Sequence, residues 1–172
     1  MSKARIPILG FAAYSGTGKT TLLIKLLPMF KAHGIRVGII KHAHHSFDID
    51  QPGKDSYELR KAGAAQMLVA SSQRWALMVE AEQEPILDEL IGHLVADKLD
   101  LILVEGFKNE VFPKIELHRR SLNHPLFFPY DPHIIAIATD DELSDQPKLT
   151  TLDINNTRQI LDFIIKYLSV QI

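Results

Sequence analysis

Cysteine is absent from the 172 residues, which excludes a disulfide framework, thiolate zinc, iron–sulfur clusters and a thiol nucleophile. That absence suits a reducing compartment and leads us to expect a cytoplasmic protein. Apolar runs near the ~20 residues of a membrane helix are also missing, so no membrane association is expected. Charge of one sign is missing locally: no Asp or Glu precedes Asp48, whereas Lys3, Arg5, Lys19, Lys25, Lys31, Arg36 and Lys41 all do. The whole chain nevertheless balances 19 basic against 21 acidic side chains, so its remainder is net acidic. A basic segment on a near-neutral protein points to a local anion site rather than a nucleic-acid surface, although scattered surface lysines would give a similar count.

What is present reads as one globular α/β domain spanning residues 1–172. Lys3-Ala4-Arg5 followed by Ile6 to Ala13 has the outline of a short secretory signal. A buried strand is the better reading, because Pro7 interrupts the run and a Gly-rich loop follows directly. Helical periodicity then runs from Thr20 to about Lys31 through Leu22, Leu23, Leu26, Leu27 and Phe30, with Pro28 expected to kink or end it. Val37 to Lys41 reads as a strand, and a short helix capped by Asp55 runs to Ala62, with Gly63 as its stop. Met67 to Ala70 and Trp75 to Val79 form a predicted antiparallel hairpin.

Pro85 opens a predicted helix ending near Lys98, and Leu99 to Val104 is a continuous apolar strand. Lys114 to His118 alternates like a further strand, Asn123 to Pro132 is a loop, and Ile134 to Ala138 is a buried strand. Thr157 to Leu168 closes the chain as an amphipathic helix capped by Asn155 or Asn156. Apolar strands joined by helices imply a three-layer fold with a mostly parallel sheet, plus the added hairpin. Ligands of such sheets bind where the strands end.

After the first strand comes Ala13-Tyr14-Ser15-Gly16-Thr17-Gly18-Lys19-Thr20, close to the P-loop pattern G-x-x-x-x-G-K-[ST] in strand–loop–helix context. Glycines at 16 and 18 let successive amides turn toward phosphate oxygens, and the helix N-terminus adds positive partial charge. Ser15 to Thr21 are therefore the nucleotide-binding candidates, with Lys19 on the β- and γ-phosphates and the Thr20 hydroxyl on Mg²⁺. Ala13 replaces the first glycine, which is tolerable where the backbone keeps negative φ. Tyr14 stands where partitioning-type ATPases carry an extra lysine, which disfavours that subclass.

Glu105, at the end of Leu101-Ile102-Leu103-Val104, reads as the second acid of the Mg²⁺ site; a surface carboxylate is the alternative. Asp100, at the other end of that strand, reads as structural. Gly106 would admit a γ-phosphate, and Lys108 is a further candidate phosphate contact. Lys41-His42-Ala43-His44-His45 with Asp48 and Asp50 suggests Lys41 on phosphate and one acid, Asp48 or Asp50, in the Mg²⁺ shell. His42 and His44, with His45, raise a transition-metal alternative. Asp140 in Thr139-Asp140-Asp141 is the candidate base reader although Asn-Lys is missing before it; a loop or capping Asp is the alternative.

Phe-Ala-Ala-Tyr-Ser-Gly-Thr-Gly-Lys-Thr-Thr, Lys-His-Ala-His-His, Pro-Gly-Lys-Asp-Ser-Tyr-Glu-Leu-Arg-Lys-Ala-Gly-Ala-Ala and Leu-Ile-Leu-Val-Glu-Gly-Phe-Lys together closely resemble the MobB family over nearly the whole chain. The resemblance implies a homodimeric GTP-binding protein with weak Mg²⁺-dependent GTPase activity. It further implies an accessory or adapter to the guanylyltransferase that joins GMP to molybdopterin, with molybdopterin itself a possible ligand. On this resemblance Gly16 to Thr21 form the nucleotide loop and Glu105 is the second acid, while Lys41 to Asp50 and Lys54 to Gly63 line the mouth where pterin or partner enters. Two alternatives are a small-molecule kinase with Arg119-Arg120 in a lid, and a metallochaperone-type GTPase using His42, His44 and His45.

Overall fold

The computed structural model describes residues 6–43, 47–107, 110–143 and 149–171. Eight strands and four helices follow one another as β1 (Ile8–Ala13), α1 (Lys19–Ala32), β2 (Val37–Lys41), α2 (Asp55–Lys61), β3 (Gln66–Ala70), β4 (Trp75–Val79), α3 (Leu87–Gly92), β5 (Leu101–Glu105), β6 (Lys114–His118), β7 (Ile134–Thr139), β8 (Thr150–Asp153) and α4 (Thr157–Gln171). Two compact units result: Ala43–Glu89 forms one, and Met1–His42 with Leu90–Ile172 forms the other.

The larger unit is built on a six-stranded sheet in the order β2-β5-β1-β6-β7-β8, with every neighbouring pair parallel. One face packs Leu9, Phe11, Leu103, Ile115 and Ala138 against Leu22, Leu26 and Phe30 of α1 and Ile160, Leu161 and Ile164 of α4. Of the two outcomes expected at Pro28, it does not end α1; the helix runs through it to Ala32. The lost i−4 hydrogen bond and ring clash cost about 3 kcal/mol. Burial of Leu26 and Phe30, both fully enclosed, contributes about 1.5–3 kcal/mol each. Pro28 and Ile24 both lie on the exposed side of the helix. Gly34, at φ +73°, follows the end of the helix.

The opposite face departs from the sequence reading of β6. Alternation in Lys114-Ile115-Glu116-Leu117-His118 suggested a half-exposed strand, yet Lys114 and Glu116 are 2% and 1% exposed. Both are compensated, as burial of charge requires. Lys114 Nζ donates to the Glu110 carbonyl at 2.7 Å and to Asp131 at 3.0 Å. The Glu116 carboxylate accepts the backbone N–H groups of Phe127 and Phe128, both at 2.8 Å, which holds the 123–132 loop over the sheet. Burial pushes the Glu116 carboxyl up against the opposing pull of those two donors. Gly10 completes this face: a Cβ there would stand 2.3 Å from the Phe112 ring.

Other differences are local. The helix expected from Pro85 to Lys98 is divided into α3 and a 3₁₀ turn at Ala96–Lys98, with Gly92 ending the first piece. Asp55 is the first helical residue of α2 rather than its cap, Lys54 holding the cap position. Strand β8 was not foreseen, because its four residues carry only one buried side chain, Leu152. Asn156 caps α4 by accepting the Gln159 N–H at 3.0 Å. Asp100 is structural as read: Arg36 grips it through its backbone N–H and its guanidinium at 2.8–2.9 Å, tying the starts of β2 and β5 together.

In the smaller unit, Arg60 of α2 pairs with Asp48, Asp50 and Glu80. The guanidinium is 10% exposed and joins the 48–50 segment, α2 and the residue following β4. Strands β3 and β4 form an antiparallel hairpin with Leu68 opposite Leu77 and Ala70 opposite Trp75.

Candidate functional site

Parallel register sets the carboxyl ends of β2, β5, β1, β6, β7 and β8 along one edge of the sheet. Lys41 pairs with Glu105, His118 with Thr139, and Thr139 with Asp153. The residues following these ends build the site.

The phosphate loop leaves β1 at Ala13, which ends the strand and is not among the positive-φ residues, so alanine fits. Gly16 and Gly18 do adopt positive φ, +81° and +95°, where a Cβ would impose strain. Between them Thr17 is 2% exposed and its hydroxyl donates to the Tyr14 carbonyl at 2.8 Å, closing the loop on itself. Gly18 then stands at the N-cap of α1, and its carbonyl accepts the Leu22 N–H at 2.9 Å. No acidic side chain lies in the first turn of α1, so the helix end is left positive.

Lys19 opens that helix and lies 3.8 Å from Oε1 of Glu105; Lys41 lies 3.7 Å from Oε2 of the same carboxylate. Two lysines, one at the start of α1 and one at the end of β2, thus converge on one acid beside the phosphate loop. Thr20 follows Lys19 with an exposed side chain; its hydroxyl and the Glu105 carboxylate are both oxygen donors, the chemistry that would suit Mg²⁺ completed by phosphates and water.

Gly106 admits a close approach of the β2 end as well. At φ +100°, its missing Cβ would stand 2.6 Å from Cβ of His42, whose backbone N–H donates to the Glu105 carbonyl at 2.8 Å. The His42 ring also packs on Phe107 with centroids 5.0 Å apart. His44 and His45 lie outside the described residues, as does Lys108. No group of three His, Cys, Asp or Glu that could hold a metal occurs among the described residues. Asp48 and Asp50 belong to the smaller unit, where Arg60 engages both.

Asp140 follows β7, where a base-reading acid would stand. Its Oδ2 accepts from Arg119 Nη1 at 2.9 Å and its Oδ1 from the Arg120 backbone N–H at 3.0 Å. The Arg120 amide, then the Arg119 side chain, hold its carboxyl below the usual carboxylate range. Arg119, the candidate lid residue, is tied to the phosphate loop, donating also to the Thr17 carbonyl at 3.0 Å and to Asn155 Oδ1 at 3.2 Å. Arg120 pairs instead with Asp141 at 3.3 Å. A cavity of about 250 Å³ beside the phosphate loop is lined by Thr17, Gly18, Thr21, Lys25, Arg119 and Asn155.

Two participants escaped the sequence reading. The Tyr14 ring stacks on His124 at 4.2 Å and on Phe127 at 4.5 Å, so the phosphate loop is clasped by the 123–132 loop that Glu116 holds. Asn155 was considered only as a helix cap. Neither pairing has a local signal, since the partners are far apart in the chain.

Comparison with known proteins accords with this geometry. The profile of the family described as MobB, Molybdopterin guanine dinucleotide synthesis protein B, matches residues 8–140. The chain is 54% identical over 172 residues to the molybdopterin-guanine dinucleotide biosynthesis adapter protein of Escherichia coli K12, covering 98% of this chain and 97% of that one. It is 46% identical over 164 residues to the protein of the same name from Haemophilus influenzae, covering 95% and 90%. Among solved structures, molybdopterin-guanine biosynthesis protein B superposes with a TM-score of 0.75 at 23% identity, covering 94% of this chain and 99% of that one. A MobB homolog from Bacillus stearothermophilus gives 0.73 at 21% identity, covering 95% and 98%, and these two likenesses speak to the fold alone. With the family profile spanning most of the chain and both adapter proteins matched nearly end to end, the chain belongs to the MobB family.

Proposed function

We propose that this protein binds GTP with Mg²⁺, hydrolyses it slowly, and acts as an adapter in molybdopterin guanine dinucleotide biosynthesis. The observation carrying the nucleotide reading is the convergence of Lys19 and Lys41 on Glu105 beside the positive-φ glycines of the phosphate loop. Lys19 would meet the β- and γ-phosphates, backbone amides of residues 15–21 would cradle them, and Thr20 with Glu105 would hold Mg²⁺ or its water shell. Charge neutralisation of this kind favours phosphoryl transfer to water. No glutamine lies among the described residues that converge on Glu105, and Arg119 is occupied by Thr17, Asp140 and Asn155. Slow turnover is therefore expected until a partner completes the site.

The adapter role rests on family membership and on the names of the Escherichia coli and Haemophilus influenzae relatives. Its partners would be the molybdopterin guanylyltransferase and molybdopterin, in the cytoplasm. No helix among the described residues is long and apolar enough to cross a membrane. A homodimer joined through the β3–β4 hairpin is part of the same reading, because two-stranded hairpins are marginal alone.

The test is calorimetric titration of the purified protein with a non-hydrolysable GTP analogue, with Mg²⁺ and with EDTA, beside a phosphate-release assay. Micromolar, Mg²⁺-strengthened binding is expected, with turnover well below the ~1–10³ s⁻¹ of ordinary enzymes. Absence of binding, or turnover in that ordinary range by the protein alone, would overturn the reading.

A further inference from the structure

Asp140 stands at the strand end where a base-reading acid is looked for, yet it does not line the cavity beside the phosphate loop; Arg119 does. We propose that Arg119 meets the nucleotide base and sets its selectivity, while Asp140 acts through Arg119 as a positioning residue. The proposal rests on the nucleotide reading of the phosphate loop.

The guanidinium has five N–H donors in a rigid plane. Its Nε–H goes to the Thr17 carbonyl of the phosphate loop, and Nη1 goes to Asp140 after β7 and to Asn155 after β8. Three loops thus fix one cation in position and orientation. Nη2 donates to none of the described residues, and it is the Arg119 atom nearest the space over Gly18, where a Cβ would stand 3.9 Å away. Asp140 is spent on this arrangement: one carboxylate oxygen accepts from Arg119 and the other from the Arg120 amide. Lys25 and Thr21 line the same cavity from α1, so a cationic, donor-rich wall faces a partly open space of about 250 Å³.

A group that only donates selects for acceptors. Guanine offers O6 beside N7, the pair that Arg recognises most often, whereas adenine places an amino donor beside N7 and would set donor against donor. An Asp reader makes the opposite demand, for the N1–H and 2-amino donors of guanine. Inosine separates the two, because it keeps O6 and N7 but lacks the 2-amino group.

The experiment compares dissociation constants of GTP, ITP, XTP and ATP, each with Mg²⁺, for the wild type, Arg119→Gln, Arg119→Lys and Asp140→Asn, with circular dichroism confirming that each variant folds. The wild type is expected to bind ITP within about threefold of GTP and ATP about ten- to hundredfold more weakly, the discrimination of one good Arg–base contact. Arg119→Gln should bring GTP and ATP together. Arg119→Lys, which keeps charge but loses the planar fork, should retain only part of the difference. Asp140→Asn should weaken GTP and ITP by the same factor, with no gain for XTP. Poor ITP binding by the wild type, with Asp140→Asn turning to XTP, would overturn the proposal and leave the nucleotide site standing. A wild type that binds none of the four would overturn the nucleotide reading itself and this proposal with it. Should a variant unfold, the wild-type ITP and ATP ratios alone decide.

Discussion

Lys19 Nζ and the Glu105 carboxylate stand 3.8 Å apart, close enough to attract and longer than the ~2.8 Å of a charge-assisted hydrogen bond. Lys41 approaches the other oxygen of the same acid at 3.7 Å, so one carboxylate holds two ammonium groups near the phosphate loop. A bound phosphate would draw Lys19 to itself and release Glu105 toward a metal.

Lys19→Ala is therefore expected to weaken GTP binding about 10- to 100-fold, the loss of one charge-assisted contact worth about 1.5–3 kcal/mol. Glu105→Gln should leave binding in EDTA close to that of the wild type and abolish the Mg²⁺ enhancement. Calorimetry with and without Mg²⁺ reads both. Unchanged GTP affinity in Lys19→Ala would remove the phosphate role from that lysine.

Glu116→Gln tests the tie between the 123–132 loop and the sheet. The amide can accept through one oxygen only, which leaves one of the Phe127 and Phe128 N–H groups unpaired next to a buried side chain. A loss of about 1–3 kcal/mol in unfolding free energy is expected by urea denaturation. Because Phe127 stacks on Tyr14, amide exchange in the phosphate loop should also quicken. A variant as stable as the wild type would mean that water replaces the missing acceptor.

The strand–loop–helix of the candidate phosphate site was legible in the sequence because each part is local. Apolar residues fill β1, glycines stand where φ turns positive, and Lys19-Thr20 start the helix. Glu105 was legible for a similar reason, as a lone acid after Leu101 to Val104. Lys114 and Glu116 were not. Two charges on one face of a strand read as solvent-facing, and only the chain folding back at Glu110, Phe127, Phe128 and Asp131 supplies the partners that let them be buried. The ties of Arg119 were hidden for the same physical reason: its partners Thr17, Asp140 and Asn155 come from three distant segments, and no spacing between them marks the clasp.

The Arg36–Asp100 pair should make stability depend on pH in a defined window. The Arg36 side chain and backbone hold the Asp100 carboxyl at about 2, below its unfolded value of roughly 4. A depressed acid stabilises the fold fully above the unfolded pKa and loses that contribution as pH falls through the folded one. The stability gap between wild type and Asp100→Asn should accordingly be constant from neutral pH to about 4 and shrink from there toward pH 2. Both side chains are partly exposed, so the gap should be small and should narrow in high salt. Urea titrations at pH 7, 4 and 2 measure it; a gap that widens on acidification would contradict the pairing.

The β3–β4 hairpin carries the last expectation. Its register sets Leu68 opposite Leu77, Ala70 opposite Trp75 and Gln66 opposite Val79, so Leu68, Leu77, Trp75 and Val79 share one face. Three of them are large and open: Leu68 is 59% exposed, Trp75 56% and Val79 46%. Helix α2 of the same unit buries no residue. A two-stranded sheet with an uncovered apolar face is marginal in water, and a second copy of the chain supplies the matching surface under the homodimer reading. Leu68→Lys with Trp75→Lys should then convert a dimer into a monomer in sedimentation velocity at micromolar concentration. GTP binding should survive in that variant, because the phosphate loop, Lys41 and Glu105 all belong to the larger unit. A wild type that sediments as a monomer under the same conditions would refute the dimer, and a double variant that remains dimeric would move the interface off this face.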